Sequence, residues 1–293
     1  MQSPDETRLP NGRRRVSVWD RWALLIIPGL IVIGLLFVWP LVVMASRSVT
    51  DPELGLQNFQ EFFTTPLSIR SLTATLSTAA IATVACIVIG YPYAYAMATS
   101  SQKVAAILGA IVLIPMAVSF LVRAFALQVL LWDTGVINGL LLNLGVIDDP
   151  LPLIRNQFSV TFAMTSMLLP LFVLPAFSVM RRIDPDYVRA AQMLGATPLR
   201  AFARVYVPLS MPGVAAGSLL VFVIALGYYI TPALFGDGRT LYLGELIVLY
   251  TQRLEWGLSS AISLILLAVT LIVLWVASRI VSVQDVFGVE IDQ

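Results

Sequence analysis

Six apolar runs, each longer than twenty residues, limit what this chain can fold into. They fall at 23–45, 71–98, 104–132, 158–180, 209–235 and 258–281. A bilayer core of ~30 Å is crossed by ~20 helical residues rising ~1.5 Å each, so every run is long enough to span. Runs and connections together use up the 293 residues and leave no room for a soluble catalytic domain. Composition agrees: 58% of residues are hydrophobic and 12% charged. Soluble domains carry roughly 45–50% and ~25%. So few polar side chains cannot cover a water-soluble globule, and intrinsic disorder is excluded as well. The expected fold class is an all-α membrane protein with six transmembrane helices.

Residue counts remove whole classes of chemistry. There is no histidine, the commonest general base and metal ligand. The single cysteine, Cys86, sits in an apolar run. It forms no intrachain disulfide or thiolate cluster and reads as a small buried hydrophobe. Metal sites, cofactors and an intramembrane enzyme are therefore not expected. A net charge of +1 gives no broad basic surface for nucleic acid. The chain has no G-x-x-x-x-G-K-[ST] loop, so it cannot hold ATP in the usual phosphate loop. Arg13, Arg14 and Arg15 resemble the basic start of a signal peptide. The run after them is too long for one and lacks a small-residue cleavage site, so it reads as a retained first span.

Orientation follows from Lys and Arg. With both termini inside, the inside holds Arg8, Arg13, Arg14, Arg15, Arg21, Lys103, Arg181, Arg182, Arg189, Arg200, Arg204 and Arg279, twelve in all. The outside holds five: Arg47, Arg70, Arg155, Arg239 and Arg253. Residues 1–22 and 282–293 are then cytoplasmic tails around one transmembrane domain at 23–281. The outer loops are net acidic, which suits a cationic solute or a basic partner, or is a plain solvated surface. Prolines 28, 40, 92, 115, 170 and 175 lie inside runs. They mark either helices shaped around a cavity or ordinary membrane-helix kinks.

The inner connection RRIDPDYVRAAQMLGATPLRAFARVYVPLSMPG carries the most local information. Asp184–Pro185 is a capping carboxylate followed by proline at the first helical position. Tyr187, Ala191 and Leu194 share one helical face. Gly195 suits a helix stop in the left-handed region. Thr197–Pro198 repeats the start signal for a second helix over 199–207, and Pro208 begins the return to the membrane. The result is a helical hairpin at 184–207.

Ala190, Ala191, Gly195, Val205, Val207 and Pro208 in this hairpin match the signature loop of bacterial ABC importer permeases. That pattern is Glu-Ala-Ala, three residues, Gly, nine residues, Ile, one residue, Leu-Pro. The family's glutamate is Arg189 here, three residues from Asp186, with which it can pair on its own helix. An acid on a partner is the alternative. FLVRAFALQVLL, GVINGLLLNLGVID, LPLFVLPAFSVMRRIDPDYVRAAQMLGATP and ALGYYITPALFG resemble the spermidine/putrescine branch over nearly the whole chain.

The resemblance implies a type I importer permease fold in the bacterial inner membrane. The hairpin would be the coupling helix, with Arg189, Ala190, Ala191, Gly195 and Pro208 meeting a cytoplasmic ATPase. It implies two copies of that ATPase, a second homologous permease, and a periplasmic or lipid-anchored solute-binding protein. The solute would be a polyamine or related small cation. An opine or amino-acid derivative, ferric iron or an oxyanion remains open, and so does a self-sufficient secondary carrier. The break GYYITP sets Tyr228, Tyr229 and Thr231 beside freed carbonyls, which attract ammonium groups; the tyrosines also suit an interfacial aromatic belt. Asp133, past Trp132, is an outer cation contact or an ordinary loop acid. Arg123, the one charge deep in a run, is a gate or structural residue, or snorkels to the headgroups.

Overall fold

The computed structural model describes residues 23–280. The expected tails at 1–22 and 282–293, with their arginines and Trp19 and Trp22, lie outside the described residues. Among those described, the ordered structure is helical throughout. Six stretches are long and apolar enough to cross a membrane: Ile27–Thr50, Pro66–Thr99, Phe120–Asn143, Gln157–Met180, Pro198–Leu226 and Trp256–Arg279.

The chain divides into two bodies, one ending at Ser46 and one beginning at Arg47. The first carries most of helix α1 (Ala23–Thr50), with Pro28 and Pro40 inside it. The second holds α2 (Gln57–Thr64), α3 (Pro66–Thr99), α4 (Gln102–Ala117), α5 (Phe120–Leu131), α6 (Val136–Asn143), α7 (Gln157–Met180), α8 (Pro185–Met193), α9 (Pro198–Ala201), α10 (Val207–Leu226), α11 (Ile230–Phe235), α12 (Leu243–Gln252) and α13 (Trp256–Ile280).

Helices α3, α7 and α10 form the centre of this second body. Hydrocarbon gives apolar side chains no reason to leave lipid, so membrane helices associate through close packing of small residues. The buried stripe of α3 is accordingly Ala79, Ala82, Cys86, Gly90 and Ala94. Phe172 of α7, fully buried, sets its ring against Gly90. On the other side α10 presents Gly213 and Gly217, four residues apart. A Cβ on Gly217 would stand 2.8 Å from the Phe172 carbonyl oxygen, and one on Gly213 would stand 2.9 Å from that of Pro175. Only glycine allows the two backbones so close.

Hydroxyls in the helices fold back on their own carbonyls, as Thr83 does onto Ala79 at 2.7 Å, and so avoid orphaned polar atoms. Other side chains tie elements together. Fully buried Asn138 donates to the carbonyls of Trp132 and Leu151 and accepts from the Leu151 N–H, fixing α6 and the loop after it.

Three features depart from the sequence reading. The run at 104–132 is divided, because the chain leaves helical geometry at Val118 and restarts after Ser119, with Pro115 in the last turn of α4. Short helices α2 and α12 occupy connections read as plain polar loops, each held by a few buried side chains such as Phe62, Leu243 and Leu246. The second hairpin arm continues from α9 through one widened turn into α10, without a break at Pro208.

Gly217→Val should cost about 1–3 kcal/mol of stability through overpacking. Gly139→Ala, with nothing within 4 Å of its added methyl, should be nearly neutral. Thermal unfolding of both variants in one detergent checks the difference.

Candidate functional site

The hairpin is built by local chemistry at each end. The Asp184 carboxylate accepts from the Asp186 N–H at 2.9 Å, with Pro185 at the first position of α8. At the far end Gly195 adopts φ +91°. Its N–H reaches the Gln192 carbonyl at 3.0 Å and the Ala196 N–H reaches that of Ala191 at 3.1 Å. These are the paired bonds of a Schellman stop, which needs a left-handed residue. Thr197 then caps α9 through the Arg200 N–H at 3.4 Å. Arg189 pairs with Asp186 at 2.9 Å, both well exposed, so this contact adds little stability.

No residue of α8 is buried. Met193 is 87% exposed, Leu194 90%, Leu199 76% and Tyr187 60%. Ala190 and Pro208 are also exposed and Ala191 is half-buried. Large exposed apolar side chains of this kind mark an interaction surface.

The base of the hairpin holds residues the sequence reading missed. Residues Phe202–Tyr206 form one π-helical turn, in which the Val207 N–H reaches back to the Phe202 carbonyl. Pro208 explains it: the residue has no N–H for the Arg204 carbonyl, and its ring would strike that carbonyl in a regular helix. Widening the turn removes the clash. Phe202 and Tyr206 stack at 5.6 Å, and Tyr95 of α3 meets Tyr206 edge-on at 5.0 Å. Arg181 donates to the carbonyls of Ala98 and Ser100 at the end of α3. A cavity of about 520 Å³ lies between these elements and α8. The aromatic pair four residues apart before a proline is the signal that could have found this turn.

At the other end of α10 the helix stops at Gly227, as the sequence predicts, and α11 restarts at Ile230. Tyr228 is half-buried and meets Phe120 of α5 at 6.4 Å. Arg123 lies near enough to act on Tyr228 electrostatically. Its Nε is buried and has no partner among the described residues. It faces a cavity of about 220 Å³ with Pro115, Leu127, Ser166 and Met167. It is Phe120, one turn before Arg123 on α5, that touches Tyr228. Thr231 is fully buried, and its hydroxyl contacts the Met167 sulfur at 3.7 Å. Tyr229, 38% exposed, packs beside Gly244. Asp133 is exposed and lines none of these cavities.

A polar cleft of about 530 Å³ opens at this end among Arg70, Ser77, Asn156, Asp237 and Tyr242. Backbone N–H groups of Thr240 and Arg239 hold the Asp237 carboxyl below its ordinary range. Burial pushes the Glu245 carboxyl up, partly offset by the Tyr242 N–H at 2.8 Å. No group of three potential metal ligands occurs among the described residues.

Residues 86–282 match the family model described as binding-protein-dependent transport system inner membrane component. The chain is 33% identical over 267 residues to the spermidine/putrescine transport system permease protein PotB of Escherichia coli (strain K12), covering 89% of this chain and 95% of that protein. Its fold is similar to a bacterial ABC transporter involved in the import of the acidic polysaccharide alginate, with a TM-score of 0.70 and 17% identity over 89% of this chain and 95% of that one. It is also similar to the alginate ABC transporter in complex with alginate pentasaccharide-bound periplasmic protein, with a TM-score of 0.68 and 18% identity over 92% and 96%.

Gly195→Val forces a β-branched residue into the left-handed region. Amide exchange across 185–201 should speed up about tenfold, the cost of that region for an L-residue. Exchange across 157–180 should not change. Hydrogen–deuterium exchange mass spectrometry reads both segments in one experiment.

Proposed function

The chain belongs to the family of binding-protein-dependent transport system inner membrane components, and on that premise we propose that it is the permease subunit of an ATP-driven importer for polyamines of the spermidine/putrescine class. It is a multi-pass inner membrane protein. The observation that carries the mechanism is the capped hairpin with Tyr187, Met193, Leu194 and Leu199 exposed at its tip. Two copies of a cytoplasmic ATPase supply the energy, one of them seated on this tip, and both termini lie on that side. A second homologous permease completes the path, and a periplasmic or lipid-anchored binding protein delivers the solute.

The geometry supports a lever. The tip is rigid because both its helices are capped, and its second arm runs without interruption into α10. Closure of the ATPases moves the hairpin, the widened turn at 202–206 takes up that motion against α10, and the break at Gly227 lies at the far end of the same helix. There the negative end of the α10 dipole and the rings of Tyr228 and Tyr229 favour a passing ammonium group. Arg123 orders this gate and is no ligand for a cation. The name of the relative at 33% identity supports the choice of polyamine. A solute bearing a carboxylate is the second reading, favoured by the unpaired Nε of Arg123.

Leu194→Asp should lose co-purification of the ATPase while the chain still inserts, because a charge replaces an apolar contact at the tip. Affinity capture followed by quantitative mass spectrometry checks it. In proteoliposomes holding the complete importer, radiolabelled spermidine should be taken up with ATP. Tyr228→Ala with Tyr229→Ala should lower that uptake on the order of tenfold, about the worth of a desolvated cation–π contact. Uptake of a carboxylated amine in place of spermidine would select the second reading.

A further inference from the structure

The widened turn at the hairpin base holds two hydrogen-bonding vacancies that match. Tyr206 is 6% exposed, and its buried hydroxyl has no partner among the described residues. Such a group carries a cost that calls for an explanation. Nearby, the Tyr91 and Ser210 hydroxyls stand 3.0 Å apart. Ser210 gives its own proton to the Val207 carbonyl at 2.8 Å. Tyr91 must therefore be the donor to Ser210, which leaves the Tyr91 oxygen free to accept. One phenol lacks an acceptor, and a neighbouring phenol in the same aromatic cluster lacks a donor.

The backbone beside them is the one π-helical turn among the described residues. Val207 sends its N–H to Phe202, so the Ala203 carbonyl loses its usual donor, and Pro208 has no N–H for the Arg204 carbonyl. Ala203 and Arg204 are both exposed, so water can serve them as the turn bends. Above the turn, α10 is held fast against α7 by Gly213 and Gly217. Below it, α8 has no buried residue and packs on the core through half-buried Val188. Motion of the hairpin relative to α10 is therefore concentrated at 202–206.

We propose that Tyr206 is the positioning residue of the coupling stroke: when the hairpin moves, the π-turn bends and the Tyr206 hydroxyl closes onto the Tyr91 oxygen. This completes a relay from Tyr206 to Tyr91 to Ser210 to the Val207 carbonyl. The relay ends on the residue whose N–H the widened turn has diverted, so side chains and backbone register the same movement. One satisfied hydrogen bond shifts the balance between bent and unbent forms on the order of tenfold. Tyr206 thus stabilises the displaced hairpin and transmits its position to α3 through Tyr91. The proposal rests on the reading of the hairpin as an ATPase lever.

The test uses the complete importer in proteoliposomes. Spin labels are placed at Gln192→Cys and Leu220→Cys, since Cys86, the one native cysteine, is buried. In the otherwise wild-type chain, trapping ATP with vanadate should shift the distance between labels. Tyr206→Phe keeps the ring and its stacking but removes the donor, and should lose more than half of the shift. Tyr91→Phe, which removes the acceptor, should do the same, and the double variant should lose no more than either single one. ATPase co-purification should stay as in wild type; thermal stability should not fall in Tyr206→Phe, which removes an unsatisfied hydroxyl, and should fall slightly in Tyr91→Phe, which loses the bond to Ser210. A full shift in either single variant, losses that add in the double variant, or no shift in the wild-type background overturns the proposal. Spermidine uptake is measured on the same preparations, and its absence beside an intact shift defeats only the choice of solute.

Discussion

Between Phe172 and Gly217 there is no space for a methyl group, and the arrangement of the second body depends on that contact. Helices in hydrocarbon gain little by hiding apolar side chains from each other, so they must touch closely to hold. Phe172 fills the notch at Gly90 on one side, and its backbone meets Gly217 on the other. Three helices are thereby locked at one level. Because α10 is also the continuation of the hairpin, a rigid contact in its middle decides where it can yield. Only the widened turn below and the break above remain.

Proline governs both sides of this arrangement. Pro175 lies in α7 where Gly213 approaches it, and a small residue there lets α10 meet the backbone closely. Pro208 opens the turn by removing a donor and crowding a carbonyl. In the family pattern the proline closes the signature loop. Its structural meaning here is a helix that continues while giving up one regular turn.

What was legible in the sequence is what is decided within a few residues. Asp184–Pro185, Gly195 and Thr197–Pro198 each fold as read, because caps and left-handed stops depend on the residue itself. The break after Leu226 was visible for the same reason. The division of the third run was not, since Val118 and Ser119 interrupt the helix without interrupting the apolar character. Helices α2 and α12 escaped because each is too short to span and lies between charged residues, although Leu243, Leu246 and Tyr250 recur at helical spacing. The candidate path residues show the limit most clearly. The sequence puts Thr231 at the break, but only packing against α7 turns its hydroxyl toward Met167. The spacing of Gly213 and Gly217 is plain in the sequence, yet their partners, Pro175 and Phe172, lie in a different apolar run.

At the far end, polar ties add to apolar packing in holding the elements after the break. Gln128 donates to the Leu234 carbonyl at 2.8 Å, Ser159 to that of Phe235 at 2.8 Å, and Thr75 accepts from the Leu243 N–H at 2.9 Å. Such bonds are strong where nothing competes for them and weak where water does. The glycine–phenylalanine contact, being steric, is indifferent to the difference. Extraction from the bilayer therefore acts unevenly on the molecule. A detergent shell that admits water competes with the polar share of what holds α11 and α12, while the close contacts of the three central helices offer it nothing to compete for.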